Sequence, residues 1–404
     1  MNGRADGRAD GRRGVSERVL GTAFHARTAA ASKRNRWHDW NGYTVADCYT
    51  AADLEYFAVR NATGVFDLSP MTKYRITGPD ACAYLDRLLT RDIAMLEPGR
   101  VLYAVWCDDA GKVIDDGTVF QLADADYRLC CQERHLDWLQ DAALGFEVRV
   151  QEETAAVAAL AVQGPTSCAV LKELGLAGAG SLRPFRHARF PLGGGEVLVS
   201  RTGFTGDLGY ELWIDPTGAD ALWDSLFDAG RGRGIAPIGT DALELCRIEA
   251  GFIQAGVDFL PATGIVRPGR ARSPFELGLD WLVDFRKPNF NGRRALAKEL
   301  REGSRWRLVR LDIEGNKPAH HAYVFDRRRR QVGFVTSAAW SPVAKKNIAL
   351  ATIARPAGEA GDALFAEIYY QREMHWSRKM AACRVVEGPF WDPPRRRATP
   401  PADF

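Results

Sequence analysis

Apolar residues recur every three to four positions in several segments between residues 51 and 300, and this spacing predicts amphipathic helices. Short runs rich in β-prone residues lie between them and predict strands and hairpins. The helices and strands alternate without the regular βαβ spacing of a parallel sheet, so we predict an α+β fold. The predicted helices cover 51–60, 79–90, 133–144, 165–174, 219–230 and 240–251, and the predicted strands and hairpins include 72–78, 100–122, 127–132, 158–164 and 186–203.

The pattern changes after about residue 300, where the helical spacing stops. Short strand-like segments follow one another from WRLVRLDI at 306–313 to MAACRVV at 380–386. Such a series predicts a small β-barrel or jelly-roll-like domain. We therefore assign residues 299–390 to a C-terminal β-rich domain and residues 391–404 to a Pro- and Arg-rich tail.

The charge balance separates the N-terminal segment from the rest of the chain. The formal net charge is only +3, which gives no bias towards nucleic acid or an anionic membrane. The basic residues are concentrated locally, above all in the GRADGRADGRRG sequence near the N-terminus. Residues 1–36 have the low hydrophobicity of a disordered tail, and their acidic residues argue against a targeting signal. No apolar run approaches the roughly 20 residues that span a bilayer.

The eight cysteines are scattered and form no C-x-x-C pair, and the seven histidines form no metal-binding spacing. This distribution is typical of buried thiols in a reducing compartment, so we predict a cytoplasmic protein without a metal site.

Two segments contain residues suited to ligand chemistry. In RTGFTGDLGYELW at 201–213, glycines recur every third residue without matching a phosphate-binding motif. Such glycines allow sharp turns and the close approach of a flat ligand. Asp115 and Asp116 follow an apolar strand, and strand alternation directs their carboxylates to opposite faces. They are therefore not a paired acid–base dyad, and one is expected to point inward.

Six blocks of sequence, taken in order, resemble the glycine-cleavage T-protein family over residues 38–390. The blocks are GVFDLSPM at 64–71 with ITGPD after it, LYAVW from 102 with GKVIDD ending at 116, AVQGP from 161, the 201–213 segment, RIEAG at 247–251, and TSAAWSPVAKKNIAL at 336–350. The resemblance implies a three-domain cloverleaf arrangement with tetrahydrofolate in a central channel, its pterin innermost. It also implies that residues 37–298 form the folate-binding catalytic region, built from two intertwined α+β domains.

The resemblance assigns roles to individual residues. Glu211, within GYEL, matches the glutamate that binds the pterin, and a carboxylate can accept the adjacent amino and ring N–H groups as a fork. Asp115, the first of the pair, matches the family's essential aspartate, which stabilises charge on the reacting folate nitrogen. The residues matched to the lining of the folate channel are Met71, Tyr103, Gln132, Phe204 and Trp281.

Departures from the family pattern favour a subtype. Thr240 stands where T-proteins carry an arginine, and Pro70 stands where they carry a histidine. Gln132 replaces an asparagine, and Phe204 lacks a hydroxyl that is often present. With ELGLDWLVDF from residue 276, these changes resemble the family's tetrahydrofolate-dependent demethylases. The implied partner is a small methylated or methylenedioxy donor, and the transferred unit is methyl or methylene.

Three other hypotheses remain open at this stage, and the weakest is that the basic tails bind nucleic acid. A true T-protein would act on a lipoylated carrier protein, although Thr240 and Pro70 count against it. A folate-binding protein without transferase activity is also possible, although FIQAG from Phe252 lacks the cysteine of such relatives.

A donor with a poor leaving group needs a proton donor, and aromatic residues could enclose the donor. The candidate acids are His38, Tyr43, Tyr49 and His187, and the candidate aromatic walls are Trp37, Trp40, Trp106 and Trp340.

Overall fold

Residues 19–400 are described by the computed structural model, except for the side chain of Arg372, and they contain twenty β-strands and eight α-helices. In chain order the strands are β1 (Leu20–Gly21), β2 (Arg36–Trp40), β3 (Tyr43–Cys48), β4 (Thr63–Asp67), β5 (Thr72–Thr77), β6 (Val101–Cys107), β7 (Val113–Ala123), β8 (Asp126–Cys131), β9 (Arg149–Glu152), β10 (Ala158–Gln163), β11 (His187–Leu192), β12 (Gly195–Ser200), β13 (Gly209–Ile214), β14 (Ile235–Pro237), β15 (Trp306–Ile313), β16 (Tyr323–Phe325), β17 (Gln331–Ser341), β18 (Lys346–Ala354), β19 (Leu364–Arg372) and β20 (His375–Val386). The helices are α1 (His25–Ala31), α2 (Ala52–Asn61), α3 (Ala81–Leu88), α4 (Leu136–Ala142), α5 (Ser167–Glu173), α6 (Ala219–Gly230), α7 (Thr240–Ala250) and α8 (Arg293–Glu302).

The folded chain begins well before residue 37, which corrects the predicted tail over residues 19–36. Strand β1 pairs with β3, and α1 follows it. Phe24 is fully buried in the core around α5 and α6, and the Thr22 hydroxyl donates to Asp67 at 2.6 Å. The buried Phe24 and the hydrogen-bonded Thr22 therefore hold residues 19–36 in place, although the average composition of this segment is polar. Residues 1–18, the remainder of the predicted tail, lie outside the described part.

The first large sheet is antiparallel, with strand order β6-β7-β8-β5-β9. Helices α3 and α4 cover one of its faces and enclose a core around Trp106 and Leu129. Strands β6 and β7 place Asp115 opposite Trp106 and Asp116 opposite Val105. Because side chains alternate along a strand, Asp115 points to the helix-covered face and Asp116 to the other face.

The second large sheet has the order β11-β12-β13-β10-β4-β14, and α5 and α6 pack on one of its faces. Its other face packs on the first sheet, where Phe120 of β7 and Trp213 of β13 lie 5.3 Å apart between ring centroids. Glu211 is on the same face of β13 as Trp213, and Asp116 is on the same face of β7 as Phe120. Both carboxylates therefore belong to the sheet surfaces that face each other.

The third unit is a closed six-stranded barrel with the order β15-β18-β17-β16-β19-β20. Small residues such as Ala349, Ala351 and Ala366 fill its interior. The prediction of an α+β fold of the T-protein type with a C-terminal β-barrel is thereby confirmed. Within residues 19–400, none of the helices combines the length and the apolar character that crossing a membrane requires.

Candidate functional site

The region between the two facing sheet surfaces, around Tyr103, Asp116 and Glu211, is here called the inter-sheet site. Asp116 is half-buried, and its Oδ2 accepts a hydrogen bond from the Tyr103 hydroxyl at 2.6 Å. Burial, and then the neighbouring charge of Asp115, raise the pKa of Asp116 to about 7, and the Tyr103 hydroxyl opposes this rise. A carboxyl group with such a pKa can both take up and release a proton near neutral pH.

Asp115, the expected essential aspartate, is fully buried and turned away from this site. Its Oδ2 accepts the backbone N–H of Glu133 at 3.1 Å and lies 3.0 Å from His135 Nε2. Its Oδ1 accepts the backbone N–H of Asp116 at 2.8 Å. Asp115 therefore joins β7 to the segment after β8 on the helix-covered face of the sheet. Asp116 presents its carboxyl group to the facing sheet.

Tyr103, whose hydroxyl donates to Asp116, forms an aromatic surface with Trp281. Their ring centroids are 6.0 Å apart, and 61% of Trp281 is exposed. The Arg91 guanidinium lies 5.7 Å from the Trp281 ring and donates to the Tyr103 carbonyl at 3.0 Å. An exposed indole held by a cation on one side offers a flat ligand a surface for stacking.

Glu211 is nearly buried on the second sheet. Burial raises the pKa of its carboxyl group to about 7, although the hydroxyls of Thr202 and Ser200 both donate to its Oε2 and oppose this rise. No cation lies within salt-bridge distance of Glu211 in residues 19–400. A buried carboxylate without an ion-pair partner is well suited to accept N–H donors from a ligand.

The glycines of the 201–213 segment make room for a protein side chain. The Gln163 amide donates to the carbonyls of Thr202 and Tyr210, at 3.2 and 3.1 Å. A Cβ added at Gly203 or Gly209 would lie 2.1 or 2.2 Å from the Gln163 Oε1. These two glycines therefore permit Gln163 to hold the loop before β13, and the expected close approach of a flat ligand is not what requires them.

Phe204 lies at the edge of this loop and stacks on Phe252, with ring centroids 5.5 Å apart and an angle of 21° between the rings. The Arg396 guanidinium lies 5.0 Å from the Phe252 ring. The C-terminal segment from residue 391, predicted only as a tail, therefore contributes to this side of the site.

A third residue, Asn41, links the loop that carries Met71 to the loop that carries Gln132. The Asn41 side-chain amide donates to the carbonyls of Pro70 and Gln132, at 3.4 and 2.8 Å. Lys73 is fully buried below this loop and donates to the carbonyls of Ser69 and Met71. The hydrogen bonds from Lys73 and Asn41 thus fix the main chain at Met71 and Gln132, and no sequence motif predicted them.

The hairpin of β2 and β3 packs against α7, whose first residue is the half-buried Thr240. His38 is on this hairpin, with its Nδ1 2.8 Å from Asp47 Oδ1. Arg36 forms an ion pair with Asp241 at 3.1 Å. The start of α7, where Thr240 stands, therefore lies against the hairpin that carries His38, and a carboxylate orients the His38 ring.

The other candidate acids and aromatic walls divide by burial. Tyr49 and His187 are buried, and the His187 imidazole lies 2.9 Å from the Gln121 carbonyl. Trp106 is fully buried against His135 and cannot enclose a donor. The half-buried or exposed candidates are Trp37, His38, Trp40, Tyr43 and Trp340.

Comparisons with known proteins were made by sequence and by structure. The model of the GCVT N-terminal domain matches residues 22–287, and that of the glycine cleavage T-protein C-terminal barrel domain matches residues 307–392. An aminomethyltransferase of Halothermothrix orenii is 33% identical over 330 residues, which cover 81% of this chain and 90% of that protein. A trimethylamine-oxide aldolase of Ruegeria pomeroyi is 38% identical over 347 residues.

The match to the aldolase covers 82% of this chain but only 42% of the longer relative. Among solved structures, the glycine cleavage system aminomethyltransferase T of Bartonella henselae superposes with a TM-score of 0.81. That match covers 93% of this chain and 98% of the other at 24% identity, so it bears on the fold alone.

Proposed function

This chain belongs to the glycine cleavage T-protein family, and from that premise we propose that it transfers a methyl or methylene group from a small donor to tetrahydrofolate. The observation that carries the proposal is the pair of carboxyl groups, Glu211 and Asp116, on facing sheet surfaces. One suits the polar edge of a pterin, and the other suits a nitrogen that exchanges a proton.

In this proposal Glu211 accepts the amino group and the adjacent ring N–H of the pterin. Glu211 is buried, and no cation lies beside it in residues 19–400, so the N–H donors of the ligand balance the charge of its carboxylate. Tyr103, Phe204 and Trp281 supply aromatic surfaces for the planar parts of the molecule. Met71 and Gln132 contribute a thioether and an amide from the opposite loop.

We assign the reactive role to Asp116 and a supporting role to Asp115. Tetrahydrofolate, when bound, supplies the nitrogen nucleophile that accepts the one-carbon unit. Asp116 Oδ takes the proton that this nitrogen loses, and the Tyr103 hydroxyl keeps the carboxyl group oriented. Asp115 is too deeply buried to meet a ligand.

The donor is proposed to bind beside Thr240 and the β2–β3 hairpin. A small neutral residue at the start of α7 leaves space that an arginine side chain would fill. His38, oriented by Asp47, is the acid we assign to donors whose leaving group must be protonated. The relative named trimethylamine-oxide aldolase adds an N-oxide to the donor classes to be tested.

The experiment is incubation of the purified protein with tetrahydrofolate and one donor at a time. The donors are trimethylamine N-oxide, glycine betaine, dimethylglycine, dimethylsulfoniopropionate, methoxybenzoates and methylenedioxyphenyl compounds. Mass spectrometry follows 5-methyl- and 5,10-methylene-tetrahydrofolate and the demethylated donor together. The proposal predicts a matched gain of folate product and loss of donor for one class, abolished in Asp116→Asn.

A second function is favoured by the relatives named aminomethyltransferase, which match 81–89% of this chain at 31–33% identity in several organisms. A lipoylated carrier protein bearing an aminomethyl group is the donor in that case. Release of ammonia with formation of methylene-tetrahydrofolate, and no reaction with any small donor, would establish this function. Folate binding without product from either kind of donor would contradict both proposals.

A further inference from the structure

The outer edge of the first sheet, beside Tyr103 and Trp281, carries two arginines that the proposed reaction does not use. Strand β6 is the edge strand, and residues 89–91 run along it. Arg91 is half-buried, and its Nη1 donates to the Tyr103 carbonyl at 3.0 Å. Its guanidinium lies 5.7 Å from the centroid of the Trp281 ring. Arg100 directly precedes β6 and is exposed.

We propose that Arg91 and Arg100 form a binding site for a carboxylate group of a substrate, at the Trp281 side of the inter-sheet site. Two molecules can supply this group, namely the glutamyl tail of tetrahydrofolate and a donor that is itself an acid. The inference rests on the proposed function, because it takes the inter-sheet site as the place where folate and donor meet.

Neither guanidinium has an acidic partner within residues 19–400, although Asp92 follows Arg91 in the chain and Asp280 precedes Trp281. Burial, and then the positive charge of Arg100, lower the pKa of Arg91, so the two cations repel each other. A bound carboxylate would relieve this repulsion. Three other acidic residues near this edge already have partners, in the pairs Asp86–Lys287, Glu97–Arg186 and Asp284–Arg286.

The main chain that carries Arg91 is fixed by its neighbours. The Thr90 hydroxyl donates to the Leu282 carbonyl at 2.8 Å, next to Trp281. The buried Lys287 ammonium donates to the Arg91 carbonyl at 3.0 Å. These bonds join residues 90–91 to the loop that carries the indole. The guanidinium and the exposed ring therefore keep their relative position before any ligand arrives, which lowers the cost of binding.

The guanidinium of Arg91 also has donors to spare. It carries five N–H groups, and one of them has an acceptor in the described part of the chain, the Tyr103 carbonyl. Two neighbouring N–H groups suit the two oxygens of a carboxylate. Tyr103 holds Arg91 with its carbonyl and Asp116 with its hydroxyl, so the cation and the reactive carboxyl group lie at opposite ends of one tyrosine. A small aromatic acid is long enough to reach both.

The test compares each acid with its uncharged amide by calorimetric titration, without turnover. One pair is tetrahydrofolate and its bis-amide, and the other is 4-methoxybenzoate and 4-methoxybenzamide. We expect the wild type to bind the acid of at least one pair about 10-fold or more tightly than the amide. Arg91→Met should abolish this preference, and Arg91→Lys should retain part of it because the charge remains without the fork.

Arg100→Met tests the same site without removing an internal contact, because Arg100 is exposed and its side chain has no hydrogen bond or ion pair within residues 19–400. It should reduce the preference for the acid by about 3-fold. The matched control is Arg87→Met, which removes an exposed guanidinium one turn earlier whose partner is Asn291 Oδ1, at 3.0 Å. That variant should keep the full preference.

The two pairs of ligands identify the source of the carboxylate. A preference confined to the folate pair assigns the site to the glutamyl tail, and one confined to the benzoate pair assigns it to the donor. Equal affinity for acid and amide in both pairs would overturn the inference even if the enzyme transfers one-carbon units. A preference that persists in both Arg100→Met and folded Arg91→Met would do the same.

The outcomes also separate this inference from the proposed function. If the wild type prefers an acid, and the arginine variants lose that preference, the carboxylate site stands even when no donor gives a folate product. In that case only the proposed transfer fails. If none of the four ligands binds, the carboxylate site and the proposed function fail together.

Discussion

At the scale of single residues, Glu211 is unusual because its carboxyl group is almost removed from water and its hydrogen-bond partners within residues 19–400 are the hydroxyls of Ser200 and Thr202. Its folded pKa of about 7 lies above the ordinary value for glutamate. Folding therefore favours the protonated form, and the stability that this group contributes is lost as the pH rises through about 7. A ligand that brings N–H donors reverses this preference, because it binds the ionised form.

Glu211→Gln tests that interpretation, because glutamine keeps the shape but presents one amide N–H to the pterin donors. We expect the dissociation constant for tetrahydrofolate to rise by about 10- to 100-fold, which corresponds to about 1.4–2.8 kcal/mol. Calorimetric titration from pH 6 to pH 8 should show affinity increasing with pH in the wild type and nearly constant affinity in the variant. A wild-type affinity independent of pH would contradict the proposed contact.

Asp116→Asn tests the reactive carboxyl group. The substitution retains the hydrogen bond with Tyr103 but removes the group that exchanges a proton, so kcat should fall by about 10²–10⁴-fold. The dissociation constant for folate should change little. Asp115→Asn is the matched comparison one residue away, and it should retain more activity than Asp116→Asn. Equal losses in single-turnover assays of the two variants would show that the two carboxylates cannot be assigned separate roles.

Sequence alone identified this pair of aspartates, and the resemblance favoured Asp115 as the reactive one, whereas in the structure Asp116 is the one that faces the second sheet. Strand alternation correctly predicts that Asp115 and Asp116 point to opposite faces. Which of the two carboxyl groups faces the second sheet depends on where that sheet packs, and its strand β13 lies more than 80 residues later in the chain. His135 and Asn41 were missed for the same reason, because their roles come from contacts that join distant strands and loops.

At the scale of elements, periodicity found the helices with a clear apolar stripe. It missed α8, whose sequence RRALAKELRE places only Leu296 in the core. It also gave no strands before residue 51, where β2 and β3 are rich in polar and aromatic residues. These elements are fixed by their neighbours, since the hairpin packs against α7, and local pattern carries little of that information.

The loop before β13 provides an element-scale prediction. At Gly209 a methyl group would lie 2.2 Å from Gln163 Oε1, and Gln163 is itself buried. Gly209→Ala must therefore displace Gln163 and break its hydrogen bonds to Thr202 and Tyr210. We expect the free energy of unfolding to fall by about 1–3 kcal/mol, measured by urea denaturation. Gly232→Ala, where no atom lies within 4 Å, is the matched control and should be close to neutral.

At the scale of the whole molecule, buried ion pairs and hydrogen bonds join the C-terminal barrel to helices α2 and α7 and to the loop before β13. Glu249 of α7 accepts hydrogen bonds from Arg60 of α2, from the Tyr56 hydroxyl and from Ser341 of the barrel. Arg60 also lies 3.5 Å from Asp207, which is in the loop before β13. A single network thus fixes the barrel, α2 and the glycine-containing loop relative to one another.

The C-terminal segment completes this network. The Trp391 indole and the Arg395 guanidinium both donate to Asp207, at 3.1 and 2.6 Å. Arg201, just before the loop, donates to the Ala398 carbonyl. The segment therefore acts as a clamp on the loop that leads from Thr202 to Glu211, and its position affects the pterin end of the inter-sheet site.

Arg395→Met should lower both the stability of the protein and its affinity for tetrahydrofolate, because it removes one contact of this clamp. Asp207 is fully buried and would lose its closest cation, so the free energy of unfolding should fall by about 1–3 kcal/mol, within the range expected for a partly exposed pair. Arg397→Met is the matched control, because that side chain is 62% exposed and pairs with Asp392 rather than with Asp207. The loosened loop should also weaken tetrahydrofolate binding in Arg395→Met alone. If both variants melt and bind alike, the segment does not hold the loop, and the fixed position of Glu211 must then come from Gln163 and the β-sheet.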